Sequence, residues 1–310
     1  MTMPKILLIF LLITQPLFAQ AQADKIETDN GILKVKLDLT RGGAICYVSL
    51  SGSEKNFVNI ADEGRYIQQS YYAGNSLDRK KDGQSPSWSP WPWNPIQVGD
   101  AFGNRAKILD YRHNGDTLYV KCIPMLWDMN NKPAEAIMEQ WTVLKGNVIE
   151  ARNRLTCFRK DTIYGDGLMK GQELPAVYSI SELSNLYYYN GKKPFTADTL
   201  TNTEVIKLSS GFWGRYSDVT EHWMAFVNNE NFGMGVYNPQ CTYFLAGMSG
   251  NPGHDAKSAS TSYIAPMKKV ALKKNSVYEY TYYIIIGDLS DIRKKIYELH
   301  DDENSTQTGH

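Results

Sequence analysis

Three acid or base candidates and a set of aromatic and polar residues could do chemistry on a hydroxylated ligand. Glu173 stands in Gly171-Gln172-Glu173-Leu174-Pro175-Ala176-Val177-Tyr178, where a loop meets an apolar strand and a carboxylate can point into a cleft. Glu221 lies in Thr220-Glu221-His222-Trp223, at the entry to a hairpin. If Trp223 faces inward, Glu221 shares its face and His222 points away. His254, followed by Asp255 in a Gly- and Ser-rich stretch, is the most exposed imidazole candidate. Two carboxylates across an oxocarbenium-like centre cleave glycosidic bonds, which makes Glu173 and Glu221 candidates for acid and for base or nucleophile. A Tyr or His base beside a cation would instead act on a uronate, through Arg65, Tyr71, Tyr72 and His254. Mutarotation or epimerisation needs one carboxylate base and one acid, such as Glu173 or Glu221 with His254.

The binding candidates cluster in two places. Read as a strand, Arg65 to Tyr72 puts Arg65, Ile67, Gln69 and Tyr71 on one face and Tyr66, Gln68, Ser70 and Tyr72 on the other. So polar a strand needs partners, which bound sugar or an internal hydrogen-bond network would both supply. The second place is Ser85-Pro86-Ser87-Trp88-Ser89-Pro90-Trp91-Pro92-Trp93-Asn94. Prolines stiffen it, and the faces of Trp91 and Trp93 either stack on sugar rings or plug one end of the fold. The following segment ends in Asp100, whose carboxylate can accept from hydroxyls.

The elements that must position these groups are strands. Leu33 to Leu39 and Val148 to Thr156 alternate apolar and polar residues, and this period of two covers most of the chain. Turn sequences at Asn114-Gly115-Asp116 and Lys145-Gly146-Asn147 predict hairpins, as do polar turns between Asn228 and Gly233 and at Lys274-Asn275. Only Ser290 to His300 reads as a helix, with Ile292, Ile296 and Leu299 on one face. The expected layout is a leader over residues 1–21, a single β-sandwich over 22–300 and a disordered tail over 301–310.

Composition narrows the partners. Lys+Arg and Asp+Glu number 33 each, so no net field draws nucleic acid or an anionic membrane. The 20 tyrosines and 7 tryptophans suit surfaces that hold hydroxylated ligands. Cys46, Cys122, Cys157 and Cys241 are too scattered for a zinc site and fit either two disulfides or buried thiols. No phosphate-binding loop, HExxH or G-x-S-x-G elbow is present, so the expectation is no cofactor and no metal. Lys5, the apolar run Ile6 to Ile13 and small residues at Ala19, Ala21 and Ala23 have the layout of a secretory leader without a lipid-anchor cysteine. That predicts a periplasmic or secreted protein with no integral membrane span.

Arg41-Gly42-Gly43-Ala44-Ile45, Asn56-Phe57-Val58-Asn59 and Asp62-Glu63-Gly64-Arg65 with Gln68-Gln69-Ser70-Tyr71 resemble the entry strands of galactose-mutarotase-like β-supersandwich proteins. Glu221 to Phe226 with Gly233 to Pro239 is similar to exported members associated with bacterial polysaccharide breakdown. The resemblance implies an all-β fold, a large antiparallel β-sandwich with a sugar-binding concave face, here with one C-terminal helix. Because that superfamily includes epimerases, lyase domains and glycosidase accessory domains, fold does not fix activity. An aldose epimerase of that kind would carry paired histidines before its catalytic glutamate, and this chain has none, His113 lying beside a turn. The leading expectation is cleavage of a glycosidic linkage in a poly- or oligosaccharide. The alternatives are a lyase acting on a uronate glycan, a non-catalytic carbohydrate binder and an aldose epimerase.

Overall fold

A computed structural model describes residues 23–160, 163–208 and 213–308. The expected leader lies outside the described residues.

Alternation becomes burial along each strand. Ala136–Lys145 buries every second side chain, and Val148–Cys157 pairs with it in register around the predicted turn. The hairpins Lys107–Asn114 with Thr117–Ile123 and Trp223–Val227 with Phe232–Tyr237 also form where their turns predict. The fourth expected hairpin does not form. Thr261–Val270 and Ser276–Asp288 belong to different sheets, because the chain between them crosses over and buries Leu272 on the way.

Two antiparallel sheets make the sandwich. The seven-stranded sheet runs in the order Met125–Leu126, Pro95–Ile96, Gln68–Ser70, Lys170–Ile180, Thr261–Val270, Tyr243–Ser249, Gly214–Tyr216. The nine-stranded sheet has Ser276–Asp288 near its middle, between Phe232–Tyr237 and Val148–Cys157. Leu174, Val177, Phe244 and Ile264 of the first sheet pack on Val120, Met138, Leu155 and Ile284 of the second in one core. Each such buried side chain contributes about 1.5–3 kcal/mol of hydrophobic stabilisation. A three-stranded sheet, Lys25–Asp29, Leu33–Asp38 and Ala44–Leu50, adds to the same core. Its last bend needs the Gly42-Gly43 pair. Both have positive φ, and a Cβ on Gly42 would lie 2.0 Å from the Gln97 carbonyl oxygen.

The two outer faces differ. Against the nine-stranded sheet lies the helix Leu289–Thr308, which seats Ile292 and Ile296 on Trp223, Val227, Tyr283 and Ile285. It runs past the expected end at His300, into the stretch read as a disordered tail. Glu303 holds the extension by accepting from the phenols of Tyr237 (3.3 Å) and Tyr283 (3.2 Å). Among the described residues no α-helix lies on the outer face of the seven-stranded sheet, and there the aromatic residues gather. All four cysteines are buried thiols rather than disulfides.

Candidate functional site

On that uncovered face, Glu173 projects from Lys170–Ile180. The chain bulges between Glu173 and Val177, yet Leu174 and Val177 still point into the core while Glu173, Ala176 and Tyr178 point outward. Glu173 is half-buried, and its two oxygens are taken by phenols, one from the link after Gln68–Ser70 and one from Thr261–Val270. Tyr72 donates to Oε2 at 3.2 Å and Tyr263 to Oε1 at 2.5 Å. Burial, and then the Glu173 charge, hold both phenols well above the ordinary tyrosine value. They are therefore protonated donors throughout the physiological range. Tyr178 is pushed up by the same two causes, with Arg65 opposing.

A cleft opens from Glu173 toward the strand Gln68–Ser70. Trp88, Trp91 and Trp127 wall it, and Gln68, Ser70 and Asn94 bring polar atoms to it. The indoles brace one another edge to face, Trp88 against Trp91 at 5.0 Å and against Trp127 at 5.8 Å. Trp91 in turn meets Tyr72 at 6.2 Å and donates its N–H to Asn94 Oδ1 at 2.9 Å. The enclosed space is about 100 Å³, room for roughly three waters. A sugar would therefore lie in an open groove, with only part of a ring enclosed.

Of the residues expected from sequence, Glu173, Tyr72 and Trp91 meet in this cleft. Arg65 stands at its rim, in a 3-10 turn rather than a strand, paired with Asp62 at 2.9 Å and donating to the Ala259 carbonyl. The remaining six do not line it. Gln69 and Tyr71 alternate inward, where the Tyr71 hydroxyl donates to Gln69 Oε1 at 2.9 Å. The polar strand thus serves both purposes weighed from sequence, an internal network on one face and the cleft on the other. Trp93, two residues on, would share the face of Trp91 in a regular strand, but the pairing with Ala73–Leu77 is irregular there and Trp93 is fully buried beneath Arg159. Asp100 ties its own loop, accepting from the backbone N–H of Phe102, Asn104 and Asn131. His254 is exposed, and its loop is held by backbone bonds to Ser181 and Glu182.

Glu221 is the largest departure. It is fully buried on the outer face of the other sheet, beneath the C-terminal helix. Its carboxylate accepts from Trp223 Nε1 (2.8 Å), Phe195 N (2.8 Å) and the Tyr297 hydroxyl (2.7 Å), and pairs with Arg293 at 3.4 Å. The expected pairing of Glu173 with Glu221 across one sugar does not occur, because the two belong to opposite sides of the sandwich. Sequence reading also passed over Trp127, Tyr178 and Tyr263. Strict alternation from Glu173 would have turned Tyr178 inward, and only the bulge brings it to the same face; nothing local pointed to Tyr263, 90 residues from Glu173.

No protein-family model matches the sequence, and no curated protein matches it. Solved structures do. A galactose mutarotase related enzyme from Lactobacillus acidophilus superposes with a TM-score of 0.52 at 13% identity, over 84% of this chain and 97% of that one. A galactose mutarotase-like protein from Lactobacillus casei ATCC 334 gives 0.52 at 10% identity, over 84% and 99%. The fold is galactose mutarotase-like. Within this mutarotase-like sandwich, Glu173 and the tryptophan cleft occupy the sheet face opposite the one that the C-terminal helix covers.

Proposed function

We propose that this protein is an exported carbohydrate-active enzyme that cleaves a glycosidic linkage, with Glu173 as its proton-transfer group. The observation that carries the reading is one carboxylate, bridged by two protonated phenols, at the end of a cleft walled by three indoles. Indole faces stack on the apolar faces of sugar rings, beside the polar floor that Gln68, Ser70 and Asn94 give the cleft. In this reading Glu173 passes a proton to the glycosidic oxygen as the C1–O bond breaks. Tyr72 and Tyr263 hold the carboxyl in place and bond the carboxylate left behind. Water then adds to C1 and yields its proton to a second carboxylate. Asp62, paired with Arg65 at the rim of the cleft, is the candidate for that role. Export rests on the leader-like residues 1–21, and N-terminal sequencing of the product from a bacterial host checks it.

The test is release of reducing ends from an oligosaccharide panel by wild type, Glu173→Gln and Asp62→Asn. The reading requires release by wild type and its loss in Glu173→Gln; equal release by both ends it. An ultraviolet-absorbing unsaturated product would move the reaction to elimination. Aldose epimerisation is the second reading, favoured because Glu173 is the only carboxylate lining the cleft among the described residues. Polarimetry on monosaccharides separates the two.

A further inference from the structure

The cleft takes up only one side of Glu173. On the other side the outer face continues across Thr261–Val270 and Tyr243–Ser249 to Gly214–Tyr216, and two side chains there have no part in the chemistry above. Trp213 stacks on Tyr263 at 4.5 Å with the rings 23° apart, and Tyr263 is the phenol that holds Glu173. The indole lies over Gly247, where a Cβ would come within 3.0 Å of it. Arg215 lies over the Tyr243 ring, its guanidinium carbon 3.9 Å from the centroid, while Nε donates to Ser217 Oγ at 3.1 Å. Tyr243 in turn reaches across Gly171, where a Cβ would meet its hydroxyl at 2.4 Å. Two glycines therefore make room for the rings that set Trp213 and Arg215 in place.

Arg215 is exposed, and among the described residues no carboxylate pairs with it. With its carbon over an aromatic ring and, among the described residues, only Nε engaged, the guanidinium leaves its two terminal nitrogens for a planar oxyanion. Three inter-strand steps separate it from Glu173, through Met267, Tyr243 and the Leu245 partner of Arg215. At about 4.8 Å per step that is roughly 14 Å across the sheet, farther than one hexose ring reaches.

We propose that this half of the sheet is a second subsite, in which Trp213 stacks a sugar ring and Arg215 bonds an anionic substituent. The ligand is then an acidic oligosaccharide lying across Glu173, with rings on both sides of the bond to be cut. This rests on the reading of the Glu173 cleft as a carbohydrate site. The anion is a uronate carboxylate or a sulfate ester, which share the chemistry that Arg215 recognises.

The test is calorimetric titration of the full chain with an oligouronate, a sulfated oligosaccharide and a neutral oligosaccharide of equal length, and with the monosaccharides. Wild type should bind one acidic oligosaccharide roughly tenfold or more tighter than the neutral one, as loss of a charge-assisted pair implies. The tighter acidic ligand tells uronate from sulfate. Arg215→Gln should bring the acidic-to-neutral ratio near one, and Trp213→Ala should weaken every oligosaccharide but no monosaccharide. Circular dichroism shows whether each variant is folded. Equal binding of acidic and neutral chains, or a preference that survives Arg215→Gln, overturns the subsite while leaving the Glu173 cleft standing. Failure of every carbohydrate to bind overturns both.

Discussion

Replacing Glu221 with Ala separates a carboxylate that holds the fold from one that does chemistry. The change removes the acceptor of the Trp223 indole, the Phe195 amide and the Tyr297 hydroxyl, and the ion partner of Arg293. The Glu221 side chain is 0% exposed and that of Arg293 13%, so water does not readily replace what is lost. Breaking a buried pair by removing one partner costs about 3–5 kcal/mol. At about 2–4 °C per kcal/mol for large domains, the melting temperature should fall by roughly 10 °C. Glu221→Gln keeps one carbonyl acceptor and should fall less. The assay is thermal unfolding followed by circular dichroism, together with sugar binding or turnover measured well below either midpoint. Binding and turnover should match wild type there, because Glu221 and Glu173 lie on opposite faces of the sandwich. A variant that melts like wild type but loses turnover would refute this reasoning and return Glu221 to the active site.

Three further outcomes follow from particular contacts. Trp91→Ala should weaken sugar binding roughly three- to tenfold, measured by calorimetry, as the loss of one aromatic stacking partner implies. Gly171→Ala, whose new methyl group would collide with the Tyr243 hydroxyl, should lower the acidic-to-neutral binding ratio while circular dichroism stays unchanged. Burial pushes the thiols of Cys46 and Cys122 up to about 12, from an ordinary 9.0. The folded chain therefore keeps protons that the unfolded chain releases. That contribution to stability is complete below pH 9 and is lost as pH rises toward about 12, which urea unfolding at a series of alkaline pH values will show.

What the sequence made legible was local. Period-two patterning and Asn-Gly or Gly-Asn turns set the hairpins, because side-chain parity and turn geometry act over a few residues. The same parity separated Tyr72 from Tyr71 once the inner face was known, but it would have put Trp91 and Trp93 together, and only the irregular pairing of their strand parts them. Long-range pairing was not legible. The turn at Lys274-Asn275 looks like a hairpin turn, but the chain there passes between sheets and no local signal distinguishes the two. Glu221 reads as a site carboxylate until Arg293 and Tyr297 arrive on a helix more than 70 residues later. Tyr263 reads as core until the neighbouring strand places Glu173 at its hydroxyl.

The central claim is that Glu173 transfers a proton to a sugar bound in the indole-walled cleft. Single-turnover cleavage of an end-labelled oligosaccharide, with binding titrated on the same samples, tests it most directly in Glu173→Gln. Binding should stay within a few-fold of wild type while the chemical step slows by about 10² to 10⁴, the contribution of one acid–base group. Cleavage by Glu173→Gln at the wild-type rate would contradict it.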